Sequence, residues 1–209
     1  MKIVILLGLV IASSTLLKAQ INAFTESGDE VLLYQDGTWE YVNDSLIEQA
    51  EIPINENVFT KDKKSSYLVK SKKLNAGVWI NPKSWTFKKG TENDAFEFQF
   101  QRKGSDLYAM LISEKIQIPV ETLKGIALQN ARAAAPDIKL IKEEYRNVNG
   151  IKVLMLQMAG TIQGMRITYY GYYYSNSNGT VQFLTYTGEN LFDGYLKDIE
   201  QFLNGFVEL

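Results

Sequence analysis

Between residues 138 and 188, three dipeptides, Asn149-Gly150, Gln163-Gly164 and Asn178-Gly179, interrupt an otherwise strand-like run. Their spacing constrains the fold more than any other feature of the chain. Connections this short join antiparallel neighbours, because parallel strands need a crossover of a dozen or more residues. The predicted strands are roughly 138–146, 151–162, 165–175 and 180–187. The third carries Tyr169, Tyr170, Tyr172, Tyr173 and Tyr174 around Gly171. These rings could form a platform for sugars, but on a central strand consecutive residues alternate between two covered faces. Core packing accounts better for the run, with Gly171 relieving crowding.

Upstream, a domain is expected to begin near Leu74. Val78-Trp79-Ile80 and Trp85-Thr86-Phe87 flank Asn81-Pro82, a turn expected to break or bend an edge strand. Phe96, Phe98 and Phe100 alternate with polar residues, as in a strand with one buried and one wet face. From Leu107 to Ser113 apolar residues point both ways, so both faces are expected to be covered. Pro119 can open a helix that Pro136 stops, with Leu123, Ile126, Ala127, Asn130 and Ala134 at helical spacing. A second helix is expected from Asn190 to Asn204, and Gly205 after it suits a left-handed C-terminal residue. The fold class is α+β: an antiparallel sheet of about six or seven strands sandwiched with two main helices, plus a small N-terminal β-hairpin.

The N-terminus carries its own signals. Lys2 precedes an apolar run from Ile3 to Ala12 and then Ser13-Ser14-Thr15, the grammar of a signal peptide over 1–19, cut after Ala19 or after Ser14. A run this short does not span a bilayer as a helix, so the processed chain is expected to be secreted, periplasmic or extracellular, and not transmembrane. Residues 20–42 form an acidic segment whose Asp36-Gly37 suits a two-residue hairpin turn, placing Tyr34 opposite Trp39 and Leu32 opposite Tyr41. Residues 43–73 read as a charged linker, and 74–209 as the α+β sandwich domain. Residues 20–59 hold nine acidic and no basic side chains, whereas 60–90 hold nine lysines and only Asp62. The plain reading is an internal match of the acidic arm with the lysine strip; the functional one is an anionic partner.

The chain has no histidine and no cysteine. Histidine-based proton transfer, Ser-His-Asp and Cys-His nucleophiles, most zinc sites, disulfides and lipid attachment through an N-terminal cysteine are therefore excluded. Glu143-Glu144 and Glu92-x-Asp94 are the available carboxylate pairs, yet adjacent strand residues point to opposite faces and cannot flank one bond. Asn176-Ser177-Asn178-Gly179 lacks the acidic ligands of a calcium loop. No Gly-rich phosphate loop or dinucleotide fingerprint is present, so no catalytic residue, cofactor or metal ligand is assigned.

From about Ala76 to the C-terminus the chain resembles the Mog1/PsbP-like fold, including DcrB-like bacterial secreted proteins. The features that carry the resemblance are Pro82-x-x-Trp85, the helix after the third strand, Val148-Asn149-Gly150 opening a long hairpin, and a C-terminal amphipathic helix with a short apolar tail. The Asp-Gly-Thr-Trp hairpin is similar to an element of other secreted bacterial proteins. The resemblance implies a non-catalytic binding or assembly role and carries over no functional residue.

The sequence thus points to an exported, non-enzymatic binding or accessory protein of the bacterial cell envelope. Its partner would be an envelope protein or glycan, not nucleic acid, met through Tyr34, Trp39, Trp79 and Trp85. The alternatives are a carboxylate-dependent hydrolase acting on carbohydrate and a small-ligand carrier, with the ligand held between sheet and helix.

Overall fold

The structure, a computed structural model, describes residues 20–24, 30–35, 37–42, 51–92 and 94–209. The signal-peptide reading of 1–19 lies outside them. In chain order the strands are β1 (Gln20–Phe24), β2 (Glu30–Tyr34), β3 (Trp39–Tyr41), β4 (Ile54–Phe59), β5 (Tyr67–Lys70), β6 (Ala76–Ile80), β7 (Trp85–Lys89), β8 (Phe98–Arg102) and β9 (Tyr108–Glu114). Helix α1 (Val120–Ala134) follows, then β10 (Lys139–Val148), β11 (Ile151–Ile162), β12 (Met165–Asn176), β13 (Gly179–Gly188), α2 (Glu189–Leu203) and β14 (Phe206–Glu208).

The meander forms where the turn chemistry dictates. Asn149 and Gly150 take φ of 50° and 88°, and Gln163 and Gly164 take 49° and 81°. These positive pairs close two-residue loops whose twist matches the flanking strands. The meander is the middle of a sheet ordered β4-β10-β11-β12-β13-β9-β8-β7. It has eight strands, more than the six or seven expected, and it is mixed, because β4 runs parallel to β10. A second sheet, β14-β6-β5, packs against one face of the first.

Two expected features fall differently. The stretch 43–73 is no plain linker, since β4 and β5 come from it and join the two sheets. Strand β4 lies at a sheet edge and is mostly exposed, so it lacks the alternation that marks a half-buried strand. Gly205 is not a left-handed cap; a Cβ there would collide with the carbonyl oxygen of Trp79. The bare backbone lets the chain leave α2 and return as β14, pairing Phe206 with Val78.

The N-terminal segment is a three-stranded sheet, β1-β2-β3, where a hairpin was expected. Gly37 donates to the Tyr34 carbonyl at 3.1 Å, Tyr34 N–H donates to Thr38 at 2.9 Å, and Gly37 has φ of 80°. The loop is therefore one residue longer than a two-residue turn. Register slips accordingly: Leu33 faces Trp39 and Val31 faces Tyr41, in place of Tyr34 with Trp39 and Leu32 with Tyr41.

The two faces of the large sheet are covered unequally. On one, α2 and the small sheet bury Phe100, Phe183, Phe202, Phe206, Tyr170 and Tyr172 in a continuous core. On the other, α1 sets Leu123 and Ala127 against Leu154, Leu156 and Tyr173. The tyrosine run alternates between these faces, and a Cβ on Gly171 would lie 2.6 Å from that of Leu184. A 15-residue helix is about 22 Å long and about 10 Å across, whereas eight strands spread over about 34 Å. Helix α1 sits over β10 to β12, and among the described residues no helix packs on the far half of that face.

Candidate functional site

The residues singled out from sequence do not converge. Trp85 is only 6% exposed, and its ring stacks on Phe202 at 3.7 Å between centroids. It is a core residue and cannot meet a partner without repacking. Trp79 is half-buried on β6, the middle strand of the small sheet, and the Lys61 ammonium lies 5.0 Å from its ring centroid. The Asn81-Pro82 turn thus carries the chain from one sheet to the other; it does not bend an edge strand. Trp39, 53% exposed, and Tyr34, half-buried, belong to the separate N-terminal sheet.

The bare half-face is built by the outward residues of β13, β9, β8 and β7. Pairing sets Tyr186 beside Tyr108 and Tyr169, Tyr108 beside Gln101, and Gln99 beside Met110 and Lys88. The side chains of Tyr108, Met110 and Ile112 are half-buried, so the expectation that both faces of β9 are covered fails on this side. The tyrosines form a ladder: Tyr108 and Tyr186 stack at 5.5 Å, and Tyr169 lies 5.9 Å from Tyr186. Gln99 Nε2 donates to the Tyr186 hydroxyl at 3.2 Å. Burial pushes the Tyr169 phenol above its ordinary range, with Tyr186 adding to the effect.

At one end the ladder walls a cleft of about 680 Å³, completed by Met165, Ile167 and Leu191. Tyr108 also borders a shallower hollow of about 260 Å³ over Thr86, Lys88, Gln99 and Gln101. The charged groups are Asp106, Arg166 and Glu189 at the cleft and Lys88 at the hollow. Arg166 donates Nε and Nη2 to Glu189 at 2.9 and 2.8 Å, and its Nη1 lies 3.7 Å from Asp137. Arg166 holds the Glu189 carboxyl below its usual range.

A second polar cluster is internal. Arg146, 3% exposed, contacts Glu144 at 2.6 Å and Glu200 at 3.2 Å, donates to the Tyr172 hydroxyl at 3.3 Å, and lies over the Phe59 ring at 4.4 Å. Burial alone would raise the Glu144 carboxyl, but hydrogen bonds from Asn55, Lys142 and Arg146 outweigh it and hold it at about 2. With its carboxylates committed, this cluster ties β4, β10, β12 and α2 together. Glu143 turns to the opposite face and pairs with Lys124 at 2.6 Å, so Glu143 and Glu144 do not flank one site. Asp94 is likewise occupied, accepting from Thr91. Among the described residues no three His, Cys, Asp or Glu side chains gather as a metal site, and no helix is long and apolar enough to cross a membrane.

Among the described residues, none of the nine lysines of the strip forms an ion pair. Lys61, Lys63 and Lys64 border an open hollow of about 500 Å³ that also contains Asp62.

No family model matches the chain, and no curated protein matches it. Solved structures do. A cyanobacterial PsbP from Synechocystis superposes with a TM-score of 0.52 at 13% identity, over 68% of this chain and 92% of its own. A Pseudomonas aeruginosa protein of unknown function, described as a putative regulator, gives 0.41 at 13% identity, over 65% of this chain and 91% of its own. A Bacteroides thetaiotaomicron protein gives 0.47 at 11% identity, over 69% of this chain and 49% of its own. The chain has the PsbP-like fold.

Proposed function

We propose that this chain, built on the PsbP-like fold, is a non-enzymatic binding or accessory protein of the bacterial cell envelope, and that it works through the bare half-face of its large sheet. The observation that carries this reading is the half-buried ladder Tyr169-Tyr186-Tyr108 with the cleft at its end. Apolar and aromatic walls with a few polar groups are the usual makeup of a binding site. Glycoside hydrolysis would need two converging carboxylates about 5 to 10 Å apart. Both Glu143 and Glu144 are taken up in ion pairs on opposite faces. The signal-like N-terminus supports export, and the PsbP-like fold agrees with an accessory role.

Capture from the envelope fraction tests the proposal, comparing the native chain with a chain carrying both Tyr108→Ala and Tyr186→Ala. A proper partner or ligand should be retained by the first and lost by the second, while Trp39→Ala and Trp79→Ala retain it. Hydrolysis of an envelope glycan by the purified chain, abolished when one carboxylate becomes its amide, would replace this reading with a hydrolase.

A further inference from the structure

Resting on that reading, the geometry points to a ligand class for the cleft: a non-anionic, ring-bearing small molecule with one hydrogen-bond acceptor. Size comes first. A volume of about 680 Å³ falls within the range of small-molecule sites, about 300–1,000 Å³. The interior is set by Tyr108, Tyr186, Ile167, Leu191 and Met165, so the body of the ligand must be apolar, and the stacked phenol rings favour a flat ring over a flexible chain.

Anionic charge is excluded. The rim holds one cation, Arg166, already bound twice by Glu189 and close to Asp137, and Asp106 adds a further carboxylate. An anion would meet a net negative rim and find no uncommitted cation among the residues lining the cleft. The N-terminus of α2 also borders the cleft, because Gly188 to Leu191 line it, and its partial positive charge does not offset the rim carboxylates. Its N-cap is Gly188, which offers no side-chain hydrogen bond to the first turn. Those N–H groups can therefore donate to a neutral acceptor on the ligand. The hollow beyond Tyr108, with Lys88, Gln99, Gln101 and Thr86, gives a polar substituent room outside the cleft.

Two dyes that share the same rings separate the possibilities: N-phenyl-1-naphthylamine is uncharged, and 8-anilinonaphthalene-1-sulfonate adds one anionic group. Fluorescence titration of the processed chain should show saturable one-to-one binding of the uncharged dye, with the sulfonate weaker by about tenfold or more, as expected when an anion is desolvated without a partner. Met165 is 62% exposed, so Met165→Glu puts a charge at the mouth without touching the core. It should weaken the uncharged dye by about tenfold and leave urea unfolding unchanged. Tyr186→Ala should weaken it as well. Equal affinity for the two dyes overturns the charge argument, and binding indifferent to both substitutions overturns the location. If neither dye saturates while the double tyrosine variant still loses its envelope partner, the ligand assignment falls and the binding reading stands. Glycan hydrolysis that depends on a carboxylate would remove the binding reading itself.

Discussion

Both faces of the large sheet are drawn from the same strands, yet one is closed and the other is half open. On β13, Phe183 is fully buried under α2, while Tyr186, three residues on, stands half-exposed beside Tyr108. Alternation gave each strand two apolar sides, but among the described residues α2 plus a three-stranded sheet cover one face and only α1 the other. The closed side holds the fold together, and the uncovered apolar residues of the open side are what a ligand can use. Large half-exposed aromatics in a contiguous group mark an interaction site more often than scattered ones do.

The largest effect is expected on the closed face. Trp85→Ala removes a ring stacked on Phe202 and should cost about 3–5 kcal/mol in denaturant unfolding. A loss under about 1 kcal/mol would mean that Trp85 is a surface anchor after all. The acid limb comes next. Glu144 is held at about 2 against an ordinary 4.5, so its contribution is full above about 4.5 and is lost as pH falls toward 2. That loss should be on the order of 2–3 kcal/mol. Glu144→Gln should flatten this limb of the stability profile; an unchanged slope between those pH values would show that the Arg146 cluster does not hold the carboxylate down. Gly171→Ala, which forces a Cβ against Leu184, should cost about 1–3 kcal/mol. A neutral result would show that β12 and β13 can spread apart. Smallest is Tyr108→Ala on the open face, expected within about 1 kcal/mol but with the uncharged dye bound more weakly; a cost like that of Trp85→Ala would make the open face part of the core.

Much of the fold is legible in the chain, and the reasons are local. The Asn149-Gly150 and Gln163-Gly164 turns fix β10 to β12 almost to the residue, because few dipeptides tolerate two positive φ values. Pro119 and Pro136 bound α1 for equally local reasons. Strand β4 is hidden because edge exposure erases alternation, and its Asn55 serves a cluster assembled from distant segments, donating to Glu144 at 2.9 Å. The site was less legible. Trp85 is large enough to suggest an anchor, but its fate depends on Phe202, over a hundred residues away in the chain. Tyr108 and Tyr186 are unremarkable in sequence, since alternation shows that both sides of β9 are apolar without saying how much cover exists. The signal available was arithmetic: two helices cannot cover both faces of so wide a sheet.

The most direct test of the difference between the faces is urea unfolding of Phe183→Ala and Tyr186→Ala side by side. The two positions share one strand and differ in the face they present. Phe183→Ala should lose about 3–5 kcal/mol, and Tyr186→Ala no more than about 1 kcal/mol. Equal losses would contradict the account, because they would mean that the Tyr108–Tyr186 face is packed as core and not held open for a ligand.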